Sequence, residues 1–301
     1  MSPTLCLQRF LPAAHRLLML PAVALLASCG GGTSGVPVVT TMSATSVAYS
    51  KTVTVLVSGS GLNNGITVSA EPGCGAMTAA TGATDSTQTF TCKVTTLGSF
   101  QPRVRNGEGK EIATLRLDIP LPQVTITAAQ ASTSVTGTMV VELDPVRAPK
   151  TVDNFLAYVN QTTPFLRNTL FHRAEPGVLI QAGGYVTGLS PKAATLAPIE
   201  LESNNGLKNL RGTVGMARTT ELNSATTQFY VNLADNADFD YVDASSPGYA
   251  VFGTVVSGMD VADSIGSVVT TSLLVSGSSP PLTLSNVPVN EIRITAISQT
   301  R

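Results

Sequence analysis

Two segments decide the fold of this 301-residue chain: FHRAEPGVLIQAGG, from Phe171 to Gly184, and RGTVGMARTTELNSATTQFYVNLADNADFD, from Arg211 to Asp240. They place Arg173 and Gln181 among apolar residues, without a nucleophile beside a base and without a group of metal ligands. A site with hydrogen-bond donors but no acid, base or nucleophile suits a reaction that breaks no covalent bond. The pattern therefore favours a reaction that changes only the conformation of its substrate.

Both segments closely resemble the cyclophilins, the prolyl cis/trans isomerases, and above all their bacterial periplasmic branch. The resemblance extends from Gln123 to Gln299, more than half of the chain. It includes two further blocks, MVVELDPVRAPKTVDNFLAYVN (Met139 to Asn160) and GYAVFGTVVSGMDVADSI (Gly248 to Ile265), each a strand that leads into a helix. Each block is ordinary alone, but four blocks in the correct order argue strongly against a chance match.

The C-terminal part of the chain, residues 121–301, is predicted to be a β-barrel. Apolar residues alternate over 139–143, as in a strand, and recur at helical spacing over 152–159, directly after Pro149. Further predicted strands are Thr169–Arg173, Leu179–Gly183, Thr213–Ala217, Gln228–Asn232, Val251–Val256 and Glu291–Ile297. Many strands with two helices predict a closed antiparallel barrel, because closure removes exposed strand edges. The resemblance implies eight strands and two α-helices that cap the barrel.

Residues 36–120 are predicted to form a separate β-domain. This region is rich in Thr, Val, Ser and Gly, and its short candidate strands are separated by turn signals such as Asn106-Gly107. The candidate strands are Thr52–Val57, Ile66–Ser69, Thr87–Val94, Phe100–Arg105 and Ile112–Leu117. Regularly spaced short strands predict an immunoglobulin-like β-sandwich. The region has no histidine and only scattered carboxylates, so a spacer or binding module is favoured over an enzyme.

The first 28 residues have the pattern of a lipoprotein signal peptide. A charged start is followed by an apolar stretch, from Leu17 to Ala27, and by small residues directly before Cys29. We expect Cys29 to be the lipidated first residue of the mature protein, followed by a Gly-rich tether over 29–35. The alternative is a soluble secretory signal in which Cys29 is incidental. The expected location is the cell envelope, lipid-anchored and facing the periplasm, and Gly30 after the cysteine favours the outer membrane.

Cys74 and Cys92 are predicted to form a disulfide bond. They are the two remaining thiols of an exported chain once Cys29 is acylated, and an even pair in an oxidising compartment predicts a disulfide. Two separately buried cysteines are the alternative. A zinc site is disfavoured, because two sulfurs need partners and His172 is the only histidine outside the signal.

The charge of the chain limits its partners. Lys and Arg number 18 and Asp and Glu number 19, and no basic run appears, so nucleic-acid binding has no electrostatic basis. Charged residues make up 12% of the chain, below the globular norm of about 25%. We expect a monomer without cofactor or metal. Its expected partners are proline-containing segments of exported proteins and, through Cys29, the membrane.

Arg173 is the expected catalytic residue, because the resemblance matches it to the arginine of the family's active site. An X-Pro bond rotates over a barrier of about 18–20 kcal/mol because resonance gives it double-bond character. A donor aimed at the prolyl nitrogen stabilises the twisted amide better than the planar one. The turn Glu175-Pro176-Gly177 would bring Gln181 within reach of the substrate carbonyl, the role of its family counterpart. Without the resemblance, a surface ion pair between Arg173 and Glu175 is the better interpretation.

The resemblance assigns eight further residues to the substrate site: Val178, Leu179, Ala217, Arg218, Gln228, Tyr230, Phe239 and Tyr249. Three positions depart from the family. Val178 stands where phenylalanine is usual, Tyr230 adds a hydroxyl to a wall of the proline pocket, and Asp238 replaces a tryptophan that holds cyclosporin in animal cyclophilins. The catalytic pair is kept, and the shape of the pocket changes. His172 is interpreted as structural, because no carboxylate partner is identifiable.

The residues leave two functions open. The first is an isomerase that assists the folding of exported proteins. The second is a peptide-binding or scaffold lipoprotein with a cyclophilin fold and little or no turnover, which the change at Val178 and Tyr230 would favour. A serine hydrolase built on His172 is disfavoured, because neither a nucleophile elbow nor paired carboxylates support it.

Overall fold

The computed structural model describes residues 22–25, 35–130, 136–275 and 281–301 of the chain. Cys29 and most of the predicted signal peptide and tether lie outside these residues. None of the described helices is long and apolar enough to cross a membrane. The chain divides into two compact units, and the main division falls between Leu117 and Asp118. Two short segments of the N-terminal region, Ala48–Thr52 and Lys93–Ser99, are grouped with the second unit.

The N-terminal region consists of β-strands. The described strands are β1 (Ala22–Leu25), β2 (Val38–Thr45), β3 (Thr52–Ser60), β4 (Thr67–Ala70), β5 (Gly75–Ala76), β6 (Thr78–Ala79), β7 (Thr87–Lys93), β8 (Gly98–Phe100), β9 (Arg103–Arg105), β10 (Glu111–Thr114) and β11 (Leu117–Ile119). One sheet has the order β1-β2-β3-β7-β6, a second has the order β10-β9-β4-β5, and β8 pairs with β11. The expected β-rich fold is confirmed, and the immunoglobulin-like sandwich stays a prediction.

Two strands predicted as continuous are each interrupted in the structure. The segment Phe100–Arg105 divides into β8 and β9, because Pro102 has no N–H to donate to a strand ladder. The segment Ile112–Leu117 divides into β10 and β11, and between them the Leu115 N–H donates to the Pro102 carbonyl at 3.0 Å. The missing N–H of Pro102 accounts for the first interruption.

Cys74 and Cys92 are joined by a disulfide bond, the pairing that the sequence predicts. Their Cα atoms lie 5.9 Å apart, and 18 positions separate them along the chain. Cys92 lies in β7 and Cys74 directly precedes β5, so the bond connects strands of the two main N-terminal sheets.

The second unit contains two helices and the remaining strands. The strands are β12 (Gln123–Gln130), β13 (Thr136–Leu143), β14 (Phe171–Glu175), β15 (Leu179–Ala182), β16 (Tyr185–Val186), β17 (Ser190–Pro191), β18 (Thr213–Met216), β19 (Phe229–Asn232), β20 (Val251–Ser257), β21 (Thr270–Leu274), β22 (Thr283–Pro288) and β23 (Ile292–Gln299). The helices are α1 (Pro149–Val159) and α2 (Met259–Gly266). The hairpin formed by β21 and β22 was not predicted.

Eight of these strands form a nearly closed antiparallel barrel. Their order is β14-β15-β19-β18-β20-β13-β12-β23. The two ends of this sheet meet through a bridge between Leu170 and Arg293, where the Ile294 N–H donates to the Thr169 carbonyl at 2.9 Å. This arrangement confirms the expected barrel and agrees with the cyclophilin fold.

Helix α1 forms where the sequence predicts a helix. Pro149 occupies the first turn, where a missing N–H costs nothing. The Glu202 carboxylate accepts hydrogen bonds from the Lys150 and Thr151 N–H groups at 3.1 and 2.8 Å, which satisfies donors at the helix N-terminus. The apolar face of α1 is buried, and the ring centroid of Phe155 lies 5.4 Å from that of Phe229 in the barrel.

Candidate active site

A tight turn between β14 and β15 sets the position of the predicted catalytic residues. The Val178 N–H donates to the Glu175 carbonyl at 3.0 Å, and Gly177 has a φ of +70°. Proline before a glycine with positive φ fits a type II turn. The resulting register pairs Arg173 directly with Gln181.

Arg173 and Gln181 begin a row of residues that crosses four strands. Gln181 on β15 pairs with Tyr230 on β19, and Tyr230 pairs with Gly215 on β18. Side chains of directly paired residues lie on the same face of a sheet. The register therefore brings the two predicted catalytic residues and the predicted wall residue Tyr230 together on one face.

The Arg173 guanidinium forms an ion pair with the Glu175 carboxylate. These two side chains are 40% and 30% exposed, and they lie on the same face because they are two residues apart on one strand. The ion pair expected in the absence of a family resemblance is thus present. An exposed pair of this kind contributes about 0–1 kcal/mol, so a substrate can compete for the guanidinium.

Gln181 is held by a second glutamine. Its Nε2 donates to the Oε1 of Gln228, which directly precedes β19, at 2.9 Å. The Ala217 N–H donates to the backbone carbonyl of Gln228 at 2.9 Å, so the backbone of Ala217, another predicted substrate-site residue, is bonded to the same glutamine. Three of the predicted site residues therefore form one connected group.

Three aromatic rings, those of Tyr230, Phe239 and Tyr249, pack edge to face and are called here the aromatic wall. The ring centroid of Tyr230 lies 6.0 Å from those of Phe239 and Tyr249, which are themselves 5.6 Å apart. Edge-to-face packing is the preferred arrangement of aromatic rings. All three residues were predicted to line the substrate site, and so was Leu179, which is 3% exposed.

The Tyr230 hydroxyl is buried and bonded to the protein. It donates to the Asn209 Oδ1 at 2.7 Å, and the whole residue is only 3% exposed. Burial raises the pKa of Tyr230 well above its usual range, so the hydroxyl stays protonated and remains a donor. Asn209 was missed by sequence reasoning, because no local pattern links it to a residue 21 positions further on.

Arg218 supports the aromatic wall with its side chain. Its Nε and Nη2 donate to the Gly248 carbonyl at 3.1 and 2.9 Å, and its guanidinium carbon lies 4.8 Å from the ring centroid of Tyr249. The third nitrogen donates to the Thr219 carbonyl at 2.9 Å. The guanidinium is thus engaged within the protein, and the assignment of Arg218 to the substrate site stays a prediction.

Two of the three positions that depart from the family, Val178 and Asp238, lie outside the barrel strands, whereas Tyr230 lies on β19. Val178 is half-buried after the hairpin turn, and its carbonyl accepts hydrogen bonds from the Leu233 N–H at 2.8 Å and the Asn236 Nδ2 at 2.9 Å. Asp238 is exposed in a short 3-10 turn, Ala237–Phe239. The backbone at Val178 is therefore anchored, so a substitution there changes the side chain in a fixed frame.

His172 is a buried, neutral residue. It is 3% exposed, its ring centroid lies 4.7 Å from that of Tyr185, and its Nδ1 has no hydrogen-bond partner among the described residues. Burial lowers the pKa of His172 to about 4. These features suit the structural role predicted for it. In the described ranges, no group of three or more His, Cys, Asp or Glu side chains could hold a metal ion.

Comparisons with known proteins agree with this geometry. A family model described as cyclophilin type peptidyl-prolyl cis-trans isomerase/CLD matches residues 127–299, which contain every predicted residue of the catalytic and substrate site. The chain belongs to the cyclophilin family.

Curated relatives of this cyclophilin carry the name of the isomerase. Peptidyl-prolyl cis-trans isomerase A of Dickeya dadantii is 49% identical over 138 residues, which cover 46% of this chain and 70% of the relative. Peptidyl-prolyl cis-trans isomerase B of Escherichia coli is 47% identical over 136 residues, covering 44% and 81%. A crystal structure of a Cryptosporidium parvum cyclophilin type isomerase matches 60% of this chain and 99% of its own, with 21% identity and a TM-score of 0.46.

Proposed function

We propose that this cyclophilin catalyses cis/trans isomerisation of X-Pro bonds in exported proteins and so assists their folding. The observation that carries the proposal is the row in which Arg173 pairs with Gln181 and Gln181 pairs with Tyr230. It combines a charged donor, an amide and an aromatic surface on one face. These three groups can stabilise a twisted prolyl amide by bonding its nitrogen, bonding its carbonyl and contacting the proline ring.

In this mechanism, the guanidinium of Arg173 acts on the prolyl nitrogen. Rotation removes the amide resonance, so the nitrogen becomes pyramidal and basic and accepts a hydrogen bond that it cannot accept when planar. An arginine carries its charge at any working pH and has a rigid fork of donors. Gln181, oriented by Gln228, binds the substrate carbonyl, and the aromatic wall receives the proline ring.

The test is the substitution Arg173→Ala, with exchange of an X-Pro peptide measured by NMR or by a protease-coupled assay. Turnover should fall by about 10²–10³-fold, the scale for the loss of one oriented donor. Peptide affinity should change far less, because the apolar walls provide the ground-state contacts.

Arg293 provides a matched control for this variant. It is 43% exposed and forms an ion pair with Glu291, two residues away on the chain, at 2.8 Å, so it resembles the Arg173–Glu175 pair but lies on β23. Arg293→Ala should leave turnover unchanged. Equal losses in the two arginine variants would contradict the catalytic role of Arg173.

A specific observation favours the peptide-binding alternative. The guanidinium of Arg173 is engaged by Glu175, and Val178 lacks the aromatic ring usual in the family. If Glu175 holds the guanidinium away from the substrate, Glu175→Gln should raise turnover, while the matched variant Glu291→Gln should not. A wild-type protein that binds X-Pro peptides but exchanges them no faster than buffer would establish the binding module instead.

The proposed location is the cell envelope, with the protein anchored through lipid on Cys29 and facing the periplasm, in the outer membrane. The support is the sequence of residues 1–35, in which an apolar stretch and small residues precede the cysteine. Cys29→Ser should shift the protein from the membrane fraction to the soluble periplasm. If parent and variant both fractionate as soluble protein, the anchor is disproved.

A further inference from the structure

Asn209 lies at the centre of a buried polar network behind the aromatic wall. The residue is 1% exposed, and its Oδ1 accepts hydrogen bonds from the Tyr230 hydroxyl at 2.7 Å and from the Asn232 Nδ2 at 3.2 Å. Its backbone N–H and its Nδ2 both donate to the Asp240 Oδ1, at 2.7 and 3.1 Å. Because both ends of its amide are bonded, the orientation of Asn209 is fixed.

Asn209 is thereby connected to every ring of the aromatic wall. It binds Tyr230 directly, and it binds Asp240, which directly follows Phe239 in the chain. The Tyr249 N–H in turn donates to the Phe239 carbonyl at 2.9 Å. One buried amide thus ties together three rings that come from three separate stretches of sequence.

The Tyr230 ring is constrained on its other side as well. A Cβ atom added to Gly215 would lie 2.7 Å from the Tyr230 Cε1 and closer still to its Cζ and Oη. The phenol therefore fills a slot that exists only because residue 215 is glycine, and its oxygen reaches an acceptor that exists only because residue 209 is asparagine. A phenylalanine at 230 would occupy the slot without this tether.

We infer that Asn209 is a positioning residue that sets the size of the imino-acid ring this cyclophilin accepts. A tethered Tyr230 ring cannot move away from a bulkier substrate, whereas an untethered ring can. The wall should therefore discriminate between the five-membered ring of proline and the six-membered ring of pipecolic acid, which has one more methylene. This inference rests on the proposed function, because it assigns the aromatic wall to the proline ring.

The experiment compares matched peptides that contain proline or pipecolic acid at the same position. For the wild type, Tyr230→Phe and Asn209→Leu, kcat/KM is measured for both peptides. The preference for proline should fall by about 3- to 10-fold in each variant, a part of the roughly 10- to 200-fold discrimination that one methylene gives in a fitted pocket. In the double variant, the preference for proline should fall no further than in either single variant, because both substitutions remove the same hydrogen bond.

Asn154 supplies the control. It is also a buried asparagine, 6% exposed, and its Nδ2 donates to the Thr226 carbonyl at 2.6 Å, without a bond to the aromatic wall. Asn154→Leu should lower stability and leave the preference for proline unchanged. A preference lost equally in this variant would assign the effect to general loosening of the barrel and overturn the inference.

Two further outcomes are decisive. An unchanged preference in folded Tyr230→Phe overturns the inference even if Asn209→Leu does not fold. If the wild type exchanges no X-Pro bond, the proposed function fails but the inference can still be tested. The preference for proline is then measured as the Kd of the pipecolic acid peptide divided by the Kd of the proline peptide. A fall in this ratio in Tyr230→Phe supports the inference, and an unchanged ratio overturns it.

Discussion

The phenol ring of Tyr230 occupies the space that a side chain at residue 215 would need. The two residues are directly paired across β19 and β18, and a Cβ atom at Gly215 would overlap the outer end of the ring. A hydroxylated ring in the aromatic wall thus depends on a glycine in the neighbouring strand. The two positions form one structural unit.

Gly215→Ala should displace the Tyr230 ring. Overpacking of a buried site costs about 1–3 kcal/mol, so the free energy of unfolding should fall by that amount in a urea titration. Affinity for X-Pro peptides should fall too, because the ring moves into the pocket or away from its partner. In a Tyr230→Ala background, the same substitution should cost little. An equal cost in both backgrounds would mean that the ring is not the obstacle.

Val178→Phe should tighten binding of proline peptides and raise turnover. Its backbone is anchored by Leu233 and Asn236, so a larger side chain at this position extends from a fixed frame. The added aromatic surface should improve binding by about 1 kcal/mol if the ring fits, as measured by peptide titration. Val178→Ala is the matched control and should weaken binding. Weaker binding in the phenylalanine variant would indicate a clash with the aromatic wall.

The stability of the second unit should fall as the pH falls from about 6.5 to about 4. His172 has a pKa of about 4 in the folded protein, lowered by burial from its ordinary value of 6.5. Between these two pKa values the unfolded chain binds the proton more readily than the folded protein, so the free energy of unfolding rises with pH. The contribution of His172 to stability is complete above a pH of about 6.5. The contribution is about 3 kcal/mol.

The measurement is a series of urea titrations between pH 4.5 and 7.5 on the wild type and His172→Gln. Carboxylates titrate near the lower end of this range in both proteins, so the difference between the two pH profiles isolates the histidine. Because His172 is the only histidine outside the predicted signal, no other imidazole contributes. Two parallel profiles would rule out a buried neutral histidine.

Removal of the disulfide should destabilise the N-terminal unit without changing catalysis. The bond between Cys74 and Cys92 restricts the unfolded chain over a separation of 18 residues, and its loss should cost about 3 kcal/mol. In the variant in which both cysteines are replaced by alanine, thermal or denaturant unfolding should show this loss in the free energy of unfolding. Turnover of short X-Pro peptides should be unchanged, because the predicted catalytic and substrate-site residues all belong to the second unit. Lost turnover with a folded barrel would contradict this division of roles.

Much of the barrel was predictable because its signals are local. The segment Leu179–Gly183 was predicted as a strand, and β15 runs from Leu179 to Ala182; the Pro-Gly turn before it specifies the hairpin that pairs Arg173 with Gln181. The hairpin of β21 and β22 escaped prediction because most of Thr270–Leu274 is exposed and shows no alternation of buried and exposed residues.

The sequence by itself determined the family and the hairpin of the candidate site, because these follow from motif order, alternation and turn chemistry. The resemblance to the family then assigned Arg173 and Gln181 as the predicted catalytic pair. Only the tertiary structure decided what the side chains around them do. It directs the Tyr230 hydroxyl to Asn209 and the Arg218 guanidinium to Gly248, and neither of these partners was predicted from the sequence. Most buried polar groups are hydrogen-bonded, and the partner is often a residue far along the chain that only the folded barrel brings near.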